Sequence, residues 1–95
     1  MSSEIDSGDA RFLQQRLSRA MGGDADALYE LGVAYSAGCD GVGIDLIEAH
    51  KWFNLAALKG DDRAVEDRRE VSADMTKDEI AAAQREARSF LSAVA

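Results

Sequence analysis

One short motif occurs twice in this 95-residue chain and limits what the chain can fold into. The pattern Gly-Asp-x-x-Ala begins at Gly23 and again at Gly60, so the two copies are 37 residues apart. A motif that recurs at a spacing of a few tens of residues indicates a repeat architecture, in which neighbouring units stack and bury one continuous core. The unit between the two copies is therefore predicted to be two helices joined by a turn.

The first helix of the unit is predicted at residues 25–37. Asp24 is in the N-cap position, where its carboxylate can accept hydrogen bonds from the free N–H groups of the first turn. Gly32 lies inside the helix, where a glycine costs about 1 kcal/mol relative to alanine. We therefore expect the paired helix to approach closely there, near Trp52. The apolar residues have the spacing of one helical face: Ala27, Leu28, Leu31, Ala34 and Tyr35.

A glycine-rich loop at residues 39–43 leads to the second helix of the unit. Asp45 is its predicted N-cap, and Glu48, three residues later, has the spacing of a capping box. Gly60 is predicted to end this helix. One face carries small residues alternating with large aromatic ones, which suits two closely packed helices: Ala49, Trp52, Phe53, Ala56 and Ala57.

The residues of this unit resemble the Sel1-like repeat, a relative of the tetratricopeptide repeat with a longer unit, and in particular its bacterial members. The resemblance covers one full repeat and departs from the pattern by one extra loop residue. It implies an all-α fold of about five helices, arranged as a short right-handed stack of α-α hairpins. The residues that carry it are Ala27, Leu31, Gly32, Tyr35, Gly38, Gly41, Val42, Asp45, Glu48, Ala49, Trp52, Phe53, Ala56, Ala57, Gly60 and Asp61.

The flanking sequences are predicted to cap this single repeat. We expect a flexible tail at residues 1–8 and one domain at residues 9–95. Within the domain, residues 9–22 are predicted to form an N-terminal capping helix and residues 23–60 the full repeat. Residues 61–95 are predicted to form a degenerate C-terminal capping hairpin, because the ends of a stack must shield its terminal apolar faces.

The C-terminal segment keeps little of the repeat pattern. Asp61 is the predicted N-cap of its first helix, at residues 62–73. Its charged residues between 63 and 70 predict a solvated helix face, with an i,i+4 ion pair between Arg63 and Asp67. Thr76 and Glu79 have the spacing of a capping box, which predicts that the last helix begins there.

The composition excludes several classes of function. The net charge is −7 and the isoelectric point about 4.5, which argues against a partner with a phosphate backbone and against an anionic membrane. Neither a secretory signal nor an apolar run approaching roughly 18 residues is present, so a cytoplasmic location is expected. The single cysteine, Cys39, cannot form an internal disulfide.

No catalytic group, cofactor site or metal site is expected. His50 is the one histidine, and no neighbouring side chains have a metal-ligand spacing, so a packing or surface role is predicted. Cys39 has no basic residue close in sequence to activate its thiol. The glycines of residues 38–43 are predicted to be turn residues, because Leu46 replaces the last glycine of a dinucleotide-binding fingerprint.

The predicted partner surface lies on the first helix of the repeat. In hairpin stacks this helix lines the concave face, and its residues not assigned to packing are Asp26, Tyr29, Val33 and Ser36, with Glu30 at the edge. Tyr29 is the predicted anchor. The two carboxylates favour a partner segment that carries lysine or arginine. In the alternative, Tyr29 merely packs between neighbouring hairpins.

The function implied by the resemblance is a non-enzymatic protein–protein interaction module, a small adaptor or scaffold. The alternative is a regulatory or stabilising subunit of an enzyme complex. One repeat with two degraded ends leaves apolar surface at Ile44, Leu46 and Ile47 or on the terminal helices. We therefore expect either a weak homodimer or dependence on a partner.

Overall fold

Five helices make up the part of the chain that a computed structural model describes, which is residues 7–94, with side chains described for residues 11–94. No strand occurs in these residues, and the predicted all-α class with about five helices is confirmed. Residues 1–6 of the predicted tail and residue 95 lie outside the described residues. The helices are α1 (Ser7–Met21), α2 (Ala25–Ala37), α3 (Leu46–Leu58), α4 (Asp62–Ser72) and α5 (Lys77–Val94).

The starts of α2 to α5 are fixed by local side-chain caps, as predicted. Asp24, Asp45 and Asp61 each accept a hydrogen bond from a backbone N–H of the following first turn, at 2.9, 3.1 and 3.0 Å. At α5 the capping box is complete. The N–H of Glu79 donates to the hydroxyl of Thr76 at 3.1 Å, and the N–H of Thr76 donates to the carboxylate of Glu79 at 2.8 Å.

Glu48 differs from its predicted role in a capping box. Its carboxylate turns along α3 and accepts hydrogen bonds from the indole Nε1 of Trp52 at 3.0 Å and from Nζ of Lys51 at 3.2 Å. A buried indole N–H needs an acceptor, and Glu48 lies one helical turn away from it. The bond holds the Trp52 ring against Phe90 of α5, with 5.1 Å between ring centroids.

The two Gly-Asp junctions fold in the same way. At the end of α1, the N–H of Gly23 donates to the carbonyl three residues earlier at 2.9 Å, and the N–H of Asp24 donates to the carbonyl five residues earlier at 3.1 Å. Gly60 and Asp61 make the same two bonds at the end of α3, again at 2.9 and 3.1 Å. Both glycines have positive φ, +90° and +94°, which is the Schellman arrangement. The repeated sequence thus forms a repeated turn.

Helix α3 is the centre of the molecule. It packs against α2, α4 and α5, while α1 packs against α2. Helices α4 and α5 scarcely contact each other, whereas α2 and α3 pack extensively against each other. The last two helices therefore do not form a tightly packed pair like α2 and α3. Alanines allow the close spacing around α3. The buried apolar core includes Ala20, Ala27, Leu28, Leu31, Ala49, Trp52, Phe53, Leu55, Ala56, Ala64, Val71 and Ala87.

Helices α2 and α3 approach most closely at Gly32. A Cβ added there would lie 2.9 Å from Cγ and 2.5 Å from Cε1 of Phe53, and closer still to its Cδ1. Phe53 is 1% exposed, so its ring has little room to move. The predicted close approach therefore occurs, but the ring that fills the space is that of Phe53 rather than Trp52.

Replacing Gly32 with alanine is predicted to destabilise the protein, although alanine favours helix. We expect Gly32→Ala to lower the free energy of unfolding by about 1–3 kcal/mol, measured by urea titration, because the new methyl group overlaps a ring that cannot retreat. Gly43→Ala is the control, since a Cβ at that position meets nothing within 4 Å. In the Phe53→Leu background the cost should shrink. An unchanged or raised melting temperature for Gly32→Ala would refute this packing assignment.

Candidate binding groove

The residues predicted to bind a partner share one face of α2, and this face lies between α1 and α4. Asp26 is exposed, whereas Tyr29, Glu30, Val33 and Ser36 are half-buried. The side chains are therefore brought together as the helical period required. The sequence did not show that side chains of α1 and α4 already bond to several of these residues.

Tyr29 lies between α2 and α4. Its hydroxyl donates to the carboxylate of Asp67 at 2.6 Å, its ring lies 5.6 Å from that of Phe53, and the guanidinium of Arg63 lies 4.1 Å from its ring centroid. The hydrogen bond to Asp67 raises the pKa of the Tyr29 hydroxyl, and desolvation adds to this shift. Tyr29 thus joins two helices and has one half-buried edge left for a partner.

Asp26 and Glu30 are already paired within the chain. The carboxylate of Glu30 lies 3.0 Å from Nε of Arg16, and Asp26 lies 3.0 Å from a guanidinium nitrogen of Arg63. Arg63 also pairs with Asp61 at 2.7 Å and lowers the pKa of that carboxyl. The sequence had paired Arg63 with Asp67 instead. Each of these carboxylates therefore has an arginine partner within the chain, although Arg63 is shared between Asp26 and Asp61.

A second acidic surface lies between α2 and α4. A groove of about 410 Å³ runs between α2 and α4, and we call it the α2/α4 groove. Its rim carries Asp67 and Glu70 of α4 and also Asp74, which follows the end of α4, and neither lysine nor arginine is among the described residues that line it. Glu70 and Asp74 form no ion pair with a described side chain. The apolar residues along the groove are Val33 of α2, Leu46 and Phe53 of α3, and Val71 of α4.

Sequence reasoning missed this rim because it assigned Asp67 and Glu70 to a solvated helix face and gave Asp74 no role. The spacing of Asp67 and Glu70, together with the buried Val71, places both carboxylates on one side of α4. That spacing could have identified a common face. It could not have shown that this face borders α2, which depends on how α4 packs.

His50 and Cys39 show no geometry for catalysis. His50 is 3% exposed, and its Nδ1 has no hydrogen-bond partner among the described residues. Burial lowers the pKa of His50, and the nearby guanidinium of Arg68 adds to this. Cys39 is exposed, and its Sγ lies 3.9 Å from the carboxylate of Asp40. In the part of the chain that the structure describes, no cluster of three His, Cys, Asp or Glu residues could hold a metal ion.

Comparison with known proteins identifies no relative: no protein-family model, no curated protein and no solved structure matches this chain. The Sel1-like resemblance therefore stays a prediction that rests on the residues of the chain itself. None of the five described helices combines the length and the hydropathy that crossing a bilayer requires.

The hydrogen bond between Tyr29 and Asp67 is predicted to couple α2 to α4. Tyr29→Phe should lower the free energy of unfolding by about 1 kcal/mol, because the carboxylate loses a short, charge-assisted bond. A double-mutant cycle with Asp67→Ala should give a coupling energy of similar size. Tyr35→Phe is the control, because the Tyr35 hydroxyl has no described hydrogen-bond partner. A coupling energy near zero would show that the bond contributes nothing to stability.

Burial of neutral His50 predicts a loss of stability in mild acid. The unfolded chain binds the proton at the ordinary pKa of 6.5, and the folded chain binds it at a lower pKa. The unfolded state therefore holds more protons below pH 6.5, and stability falls until the pH passes the folded pKa. In urea titrations between pH about 7.5 and about 5.5, His50→Leu should lose less stability than the parent. Equal losses would contradict the assignment.

Carboxylates with lowered pKa do not interfere in this pH range. The pKa values of Asp24 and Asp61 are shifted below 3.8, for Asp24 mainly by a backbone hydrogen bond and for Asp61 mainly by Arg63. Their contribution to stability is complete above that value and is lost only as the pH falls through the lowered pKa.

Proposed function

We propose that this protein is a non-enzymatic interaction module that binds a short basic and apolar segment of another protein in the α2/α4 groove. The observation that carries the proposal is the combination of three carboxylates on one rim with apolar side chains beside them and no cation among the described lining residues. Lysine or arginine on the segment would pair with Glu70 and Asp74, and an apolar side chain would pack near Val33 and Leu46.

The size of the groove favours a transient complex. A volume of about 410 Å³ accommodates a few side chains of an extended or helical segment rather than the flat face of a globular protein. The exposed carboxylates of Glu70 and Asp74 mainly steer association and select against acidic partners, and salt screens such charges. We expect affinity to fall as ionic strength rises, with the apolar contacts providing the part that salt does not remove.

The fold proposed for this function is a short right-handed hairpin stack of the Sel1-like, tetratricopeptide-related type, acting as a cytoplasmic adaptor or scaffold in a bacterium. The main support is the pair of equivalent turns at Gly23-Asp24 and Gly60-Asp61, which join α1 to α2 and α3 to α4. The close packing of α2 on α3 at Gly32 is further support. In such a stack α2 and α4 are equivalent first helices, and the groove between them belongs to the concave face.

Reversing two charges of the rim is predicted to weaken the binding of basic segments. A displayed library of random peptides selected on the parent protein should enrich sequences with lysine or arginine near an apolar residue. The variant Glu70→Lys/Asp74→Lys should bind the enriched peptides at least tenfold more weakly, measured by fluorescence anisotropy. Glu66→Lys/Glu86→Lys makes the same change of charge at exposed positions outside the groove and should bind nearly as the parent does.

Two outcomes would contradict the proposed groove. One is the enrichment of peptides without positive charge. The other is equal weakening by the control variant, which would point to net charge rather than to a site. Affinity capture with mass spectrometry then separates the two classes of partner. One stoichiometric enzyme would favour a subunit of an enzyme complex, and several signalling proteins would favour an adaptor.

A further inference from the structure

An exposed aliphatic side chain lies at the end of the molecule where α3 begins. Ile44 is 68% exposed, the highest value among the described large apolar residues. One side of Ile44 nevertheless packs against the backbone of Gly38. Its Cγ1 lies 2.9 Å from the position that a Cβ on Gly38 would take. The next residue, Asp45, donates its backbone N–H to the carbonyl of Tyr35 at 2.9 Å. Ile44 therefore projects from a fixed loop beside a carboxylate.

An apolar cleft lies at the opposite end, where α1, α3 and α5 finish. This terminal cleft has a volume of about 290 Å³, and its exposed walls include Met21, Leu58, Leu91 and Val94. Among the described residues that line it, none carries a carboxylate, and Lys59 is the one charged residue. Lys59 makes no ion pair with a described side chain. The cleft thus combines apolar walls with one available positive charge.

We propose that the loop between α2 and α3 of one copy of this chain (residues 38–45, the Ile44 loop) inserts into the terminal cleft of another copy, with Asp45 facing Lys59. The two ends match in chemistry, since an aliphatic side chain beside a carboxylate meets apolar walls beside an ammonium group. They lie at opposite ends of α3, about 20 Å apart along its axis. Each copy therefore presents both halves of the contact, and association is head-to-tail.

Charge and shape favour this arrangement over a symmetric dimer through the clefts. A two-fold contact would place two concave surfaces and two Lys59 side chains against each other. The chain carries a net charge of −7, so copies repel one another except where opposite charges face locally. One loop in one cleft buries far less area than the roughly 1,200 Å² of a stable interface. The association is accordingly weak and depends on concentration, and an open head-to-tail contact extends beyond dimers.

The test is sedimentation velocity of the full chain from micromolar to millimolar concentration. The parent should show a weight-average mass that rises with concentration and exceeds that of a dimer. Ile44→Asp removes the inserting apolar side chain, and Leu58→Asp places a negative charge in the wall of the cleft. Each variant alone should remain monomeric. An equimolar mixture of the two should form heterodimers and nothing larger, because only one competent loop and one competent cleft meet.

Matched variants separate this contact from general effects. Phe12→Asp places the same charge at another exposed apolar residue and should associate as the parent does. Lys59→Glu leaves the apolar walls intact and should weaken association several-fold. Circular dichroism checks that each variant is folded.

Three results would overturn the proposal. They are a parent that stays monomeric throughout, an Ile44→Asp variant that still associates, and a mixture of the two variants that forms no heterodimer. Binding of basic peptides in the α2/α4 groove should be unchanged by Ile44→Asp, so this proposal and the proposed function can fail independently.

Discussion

The structure depends on one steric match, the ring of Phe53 against the backbone at Gly32. The absence of a side chain at Gly32 lets α3 lie close to α2, and the buried ring then fills the space between them. Tyr29 rests on the same ring, 5.6 Å away, and reaches Asp67 from there. The α2 side of the α2/α4 groove is therefore positioned by the contact between a glycine and a phenylalanine, whereas α4 packs mainly against α3. The cost of a glycine inside a helix is offset by this packing.

Interactions within a few residues were predictable from the sequence because they need no knowledge of the fold. The caps at Asp24, Asp45 and Asp61 and the capping box at Thr76 locate the helix starts, since each side chain has its acceptor or donor within three residues. The glycines at 23 and 60 end helices because only glycine readily adopts φ values near +90°. In the structure the repeated motif forms the same turn at both junctions, with the same hydrogen bonds.

Interactions between helices were predicted less well, because a long charged side chain can pair with any of several groups. Which of these groups lie close to it depends on the fold. Arg63 was assigned to Asp67 by helical spacing, yet it pairs with Asp61 and with Asp26, 37 residues away. Glu48 was assigned to a cap but is taken by the indole N–H of Trp52. The same limit applies to the predicted acidic surface. Asp26 and Glu30 carry the charge that the sequence suggested, but Glu30 pairs with Arg16, and Asp26 shares Arg63 with Asp61.

These pairings determine where the excess negative charge of the chain can act. Glu30 faces Arg16 of α1 and Asp26 faces Arg63 of α4, so part of the negative charge on that surface is offset. Along the α2/α4 groove, Glu70 and Asp74 lie beside apolar side chains, Ser36 and the Tyr29–Asp67 pair, and no cation is among the described lining residues. The negative electrostatic potential of the α2/α4 groove therefore depends on the absence of arginine from its described lining, and not simply on the net charge of the chain. The Ile44 loop and the terminal cleft lie at the two ends of α3, whereas the groove runs along its side. A chain joined head-to-tail would therefore leave each groove open, and repeated grooves would hold a partner that carries several basic segments more tightly than one groove could.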